Sequence, residues 1–147
     1  MKKNKTLKGI LLLGIAGVLF SGYVSAVKFF DETCAFGETC PYFLGYPACY
    51  FGFGMYLLIT VFAALSVLGR ADERKSLRAV TLISFLGILF AGYFTLGELP
   101  LLLRDGFSAY FLGLPTCALG LIFYVSVFLL ALRESKPKPP ADGGAGA

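Results

Sequence analysis

The chain has no histidine and no tryptophan, only two methionines, and charge on just 15% of its 147 residues. Without histidine, imidazole-ligated heme or zinc and Ser–His hydrolysis are excluded. No Cys-x-x-Cys pair occurs, and no Gly-rich phosphate loop follows a strand. No metal and no heme is therefore expected. The few charges also avoid four stretches, roughly 7–30, 48–68, 79–96 and 115–132. Each approximates the roughly 17–25 residues that a helix needs to cross the hydrocarbon core. Spanning strands would instead show ten-residue alternation, which is missing. With 57% hydrophobic residues and a mean hydropathy of +0.77, the predicted fold is all-α: a bundle of four transmembrane helices.

What is present is a repeat. Tyr42-Phe43-Leu44-Gly45-Tyr46-Pro47-Ala48-Cys49 returns as Tyr110-Phe111-Leu112-Gly113-Leu114-Pro115-Thr116-Cys117. Gly52 and Tyr56 match Gly120 and Tyr124 at the same offset of 68, and Gly17–Tyr23 matches Gly87–Tyr93 at an offset of 70. This predicts a tandem, parallel two-helix repeat, about 7–69 and about 77–132, within one membrane domain at 1–132. Residues 133–147, rich in Pro, Gly and Ala, read as a disordered cytoplasmic tail. Small residues at Gly14, Gly17, Ser21 and Ser25 recur as Ser84, Gly87, Ala91 and Thr95, each set on one helical face. Such faces permit close helix approach, so both are expected in the bundle interior. Lys28 and Glu98 are also equivalent positions, at the outer ends of their spans. The segment 99–107, with Pro100, Arg104 and Asp105, is expected to lie along the outer interface.

Eleven of the thirteen cations precede the first span, separate the second from the third, or follow the fourth; only Lys28 and Arg104 fall elsewhere. The positive-inside rule then puts both termini in the cytoplasm of a multi-pass protein, in a bacterial-type plasma membrane. Lys2–Lys8, the apolar run after it and Val24-Ser25-Ala26 also fit a cleaved secretory signal. The close match between the first and third spans favours a retained helix. No ionisable group lies mid-span, which leaves transport a thin basis. The fifteen Phe and eight Tyr serve mainly packing and interfacial anchoring.

The four cysteines are the candidate site. Cys34 and Cys40 occupy the first outer loop, and Cys49 and Cys117 the outer starts of spans two and four. All four fall on the side where disulfides persist. Three pairings are open; loop length and repeat positions favour Cys34–Cys40 with Cys49–Cys117. A structural staple is the plainer reading of such cysteines.

Each repeat reads G-x-P-x4-G-x3-Y, from Gly45 to Tyr56 and from Gly113 to Tyr124, and a loop cysteine pair precedes the first copy. This resembles the vitamin K epoxide reductase family, over perhaps residues 7–132. The resemblance implies a four-helix core that passes electrons from a thiol partner protein, through loop cysteines, to a cysteine pair at the fourth helix and then to a quinone. Cys34 and Cys40 would be the loop pair, and Cys117 the second cysteine of the inner pair. Leu114 stands where the family has the first, so either Cys49 serves as the partner of Cys117 or the redox function is lost. The alternative is a non-enzymatic bundle that binds lipid, a partner or a second copy of itself, with structural disulfides.

Overall fold

The computed structural model describes residues 2–31, 42–106 and 116–136. Four helices run α1 Lys2–Asp31, α2 Ala48–Val67, α3 Glu73–Asp105 and α4 Thr116–Ser135. A small antiparallel hairpin, β1 Tyr42–Phe43 and β2 Tyr46–Pro47, precedes α2. All four helices are long and apolar enough to cross a membrane. At about 1.5 Å per residue, the 20-residue α2 and α4 approximate the thickness of a hydrocarbon core, and the longer α1 and α3 exceed it. Cys34, Cys40, the second motif copy as far as Pro115, and the tail beyond Lys136 lie outside the described residues.

The local chemistry explains the boundaries. Pro47 is the N-cap of α2, where its missing N–H costs nothing. Gly69 ends α2 with φ 68°, and the amides of Gly69 and Arg70 donate to the carbonyls of Ser66 and Leu65. That is a Schellman closure, which needs a residue tolerant of the left-handed region. It turns the chain within a few residues into α3. The segment 99–107, expected to lie along the outer interface, continues α3 through Pro100 to Asp105. Proline forfeits only the bond to the Leu96 carbonyl, and the leucines around it sustain the helix.

The hairpin was not expected. Leu44 and Gly45 have φ of 51° and 85°, the doubly positive pair that a tight two-residue hairpin turn requires. Glycine adopts this freely, whereas leucine pays about 1–2 kcal/mol. Leu44 is 80% exposed and so gains little packing in return. Leu44→Asn is expected to stabilise the protein by about 0.5–1 kcal/mol, because asparagine tolerates the left-handed region. A thermal-unfolding midpoint that falls instead would show that the leucine side chain makes a contact worth more than the backbone strain.

Packing is strongest between α1 and α2 and between α3 and α4; α2–α3 and α1–α4 contacts close the ring. Core residues occur at matching positions: Leu7 with Leu77, Ile10 with Val80, Ile59 with Val127, and Ala63 with Ala131. Of the two small-residue faces, Gly14, Gly17, Ser21, Ser84, Gly87 and Ala91 are buried, whereas Ser25 and Thr95 toward the hairpin end are half-buried. Gly14 and Gly17 meet α2 and Gly87 meets α4; a Cβ at Gly17 would lie 2.3 Å from the Tyr56 ring, and one at Gly87 2.4 Å from that of Tyr124. Several helix hydroxyls fold back on their own backbone: those of Ser21, Thr60 and Thr95 donate to the carbonyls of Gly17, Tyr56 and Ala91. The outward faces are apolar, with Leu12, Leu19, Leu58, Leu82, Leu86, Leu89 and Leu129 exposed.

Candidate functional site

Two tyrosines hold the middle of the bundle. The Tyr56 and Tyr124 rings stack with centroids 4.3 Å apart and planes within 12°. The Tyr56 hydroxyl donates to the Gly120 carbonyl at 2.7 Å, and the Tyr124 hydroxyl donates to the Gly52 carbonyl at 3.1 Å. Each bond is worth about 0.5–1.5 kcal/mol net, and the pair ties α2 to α4 reciprocally. Both rings are 2% exposed, each with one edge against a glycine of the preceding helix. The sequence motif contains both tyrosines and both carbonyl-bearing glycines. It does not show that each hydroxyl crosses to the other copy, because that depends on how α2 and α4 face one another.

Above the tyrosines, toward the hairpin, lies a cavity of about 70 Å³. Its walls pair off by sequence offset. Phe20 and Ser21 of α1 correspond to Phe90 and Ala91 of α3, and Val24 to Phe94. On α2 and α4, Cys49 corresponds to Cys117, Gly52 to Gly120, and Tyr56 to Tyr124. The lining atoms are almost wholly apolar. The hairpin packs beside this cavity: Phe43 makes edge-to-face contacts with Phe51 and Phe90 at 5.4 Å and with Phe94 at 6.4 Å. Tyr42 lies under the Lys28 ammonium, 5.5 Å from ring centroid to Nζ.

Of the four candidate site residues, Cys49 and Cys117 line this one cavity, both half-buried. Cys34 and Cys40 lie outside the described residues. Phe20, Phe90 and Phe94 were not singled out as site residues, because their spacing is that of any core-facing aromatic. No cluster of three or more potential metal ligands occurs among the described residues. A cavity of roughly 150 Å³ holds a benzene molecule, so 70 Å³ does not enclose a quinone ring. A quinone would have to meet the sulfurs at the mouth. In comparisons with known proteins, the chain matches no family model, no curated protein and no solved structure.

Proposed function

We propose that this chain is a divergent membrane thiol–disulfide redox protein whose inner couple is Cys49 and Cys117. The observation that carries the reading is their placement on one cavity, at corresponding positions of α2 and α4. In the proposal the chain is a tandem repeat of a two-helix unit about an axis between the tyrosines. Its four spans cross a bacterial-type plasma membrane, with both termini cytoplasmic and the cysteine end outside. The exposed leucine faces suit lipid contact, since a soluble protein rarely leaves so much contiguous apolar surface to water.

The electron path is the one that the family resemblance implies for these cysteines. A partner dithiol is oxidised to a disulfide as it reduces Cys34–Cys40. The loop thiols next reduce a Cys49–Cys117 disulfide by exchange through a mixed disulfide. The inner dithiol would then give two electrons and two protons to a two-electron acceptor outside the cavity, for which the family resemblance implies a quinone. The tyrosine clamp beneath holds α2 and α4 in register, so that the two sulfurs share one apolar chamber.

The test is mass-shift thiol labelling across graded redox buffers. An exchangeable couple between about −270 and −120 mV, the range of thiol oxidoreductases, is the expected result. Bonds that resist reduction below about −300 mV, or thiols inert throughout, would leave the non-enzymatic bundle with structural cysteines. One observation favours that second reading: the reciprocal tyrosine clamp gives the repeat a purely architectural reason to exist.

A further inference from the structure

Among the described residues one ionisable carboxylate or cation is buried: Glu98, 9% exposed. Its position on α3 is specific. Ala91 and Phe94 line the cavity, and Glu98 stands seven and four residues beyond them, on the same helical face and one turn toward the hairpin end. Glu98 does not itself line the cavity, but helical side chains lean toward their own N-terminus, so its carboxyl lies on the side of Phe94, whose ring forms the wall. Lys28 occupies the corresponding place on α1, one turn beyond Val24, but reaches over Tyr42.

Resting on the redox reading above, we propose that Glu98 is the proton acceptor for the Cys49/Cys117 couple. Closing a disulfide from two thiols requires two protons to leave an apolar chamber, and the chain has no histidine to take them. The Glu98 carboxylate takes the proton of the attacking thiol. With a disulfide standing in for the electron acceptor, as in the test below, the thiolate then attacks one of its sulfurs, forming a mixed disulfide and expelling a thiolate. Glu98 hands this first proton to the expelled thiolate, and the second inner thiol then loses its proton to the freed carboxylate and attacks the mixed disulfide. This closes Cys49–Cys117, expels the second thiolate and completes a two-electron transfer. A carboxylate in a water-poor site is costly to maintain, and such residues mark proton pathways. Among the described residues, the other titratable or charged groups around this end are Tyr23, Lys28 and Asp31 on α1, Tyr42 and Tyr46 on the hairpin, Tyr93 and Arg104 on α3, and Tyr50 on α2.

The test uses the full chain in lipid nanodiscs, with Cys34→Ser and Cys40→Ser so that only the inner couple reacts. The reduced protein is mixed with dithiodipyridine, a small apolar aromatic disulfide, between about pH 6 and pH 9, spanning the ordinary thiol range. Release of thiopyridone gives the rate, and mass spectrometry identifies the Cys49–Cys117 bond. Glu98→Gln is expected to slow bond closure about 100-fold near neutrality. That deficit should shrink as the pH approaches the ordinary thiol pKa, where solvent removes the proton unaided, and Glu98→Asp should recover most of the rate. An unchanged rate in Glu98→Gln, or a loss equal at every pH, overturns the proposal. If Glu98→Gln does not fold, the unsubstituted Glu98 protein decides. A rate that falls toward tenfold per pH unit below the ordinary thiol pKa of about 8.5, as for an unassisted thiol, overturns it, whereas a plateau supports it. Failure of that Glu98 protein to form the Cys49–Cys117 bond at all would instead sink the redox reading itself, and this inference with it.

Discussion

Alanine at Gly87 is expected to destabilise the bundle by about 1–3 kcal/mol, as overpacking of a tight core does. The added methyl would sit 2.4 Å from Cε1 and 2.5 Å from Cδ1 of Tyr124, so the ring must move. It has little room to retreat, because one face is stacked on Tyr56 at 4.3 Å and its hydroxyl is bonded to the Gly52 carbonyl. Moving the ring strains or breaks that bond, a further loss of about 0.5–1.5 kcal/mol. Alanine also recovers about 1 kcal/mol of helix propensity, which offsets part of the loss without reversing it. Gly17→Ala meets Tyr56 in the same way, and because the two rings share one stack, the double variant should lose more than the sum of the singles. Gly54→Ala is the control: nothing lies within 4 Å of its Cβ, so the propensity gain should appear unopposed. Thermal unfolding of the purified protein reads all four. Equal behaviour of Gly54 and Gly87 would mean that the rings are not confined as described.

Replacing one inner cysteine is expected to trap the electron path at its halfway point. Thiol–disulfide exchange needs an attacking sulfur and a resolving sulfur. With Cys49→Ser, the remaining Cys117 can form a mixed disulfide with a loop cysteine or the partner but has no neighbour to release it. Cys117→Ser leaves Cys49 in the same position. Both variants should accumulate a covalent intermediate that disappears on adding reductant, as seen by non-reducing peptide mapping. Neither should show the labile inner transition. If each variant instead titrates like the parent chain, Cys49 and Cys117 are packing residues of the chamber wall, and the clamp-and-staple reading takes over.

Much of this arrangement is legible in the residues alone, and the rest is missing for definite reasons. The four apolar runs give the helices, because hydrocarbon-length stretches without charge have few other solutions; Ala48 is even read correctly as the start of α2. Burial of Gly17, Gly87 and their neighbours also follows from the small-residue spacing. Their partners do not follow. The small faces suggest close helix approach, yet what they admit is a tyrosine ring from the next helix, and ring placement depends on a crossing geometry that periodicity does not encode. The hairpin is hidden because its turn carries Leu44 where asparagine would have signalled it; only Gly45 hints at the positive backbone angle. Glu98 is readable as a span-end charge, but its burial is not, since Pro100 suggests that the helix stops nearby when it continues to Asp105. Cys49 and Cys117 are legible as equivalent positions, and the shared cavity is a property of the folded bundle.

The most direct test of the central claim is disulfide formation between Cys49 and Cys117 in the Cys34→Ser, Cys40→Ser chain in lipid. Bridging demands Cα atoms within about 7 Å, so the bond reports proximity as well as chemistry. After mild oxidation and proteolysis, the account predicts one linked peptide pair joining α2 to α4 within a single chain, reversed by reductant. Two thiols that stay separately alkylable under the same oxidation, or bonds found only between copies, would contradict it.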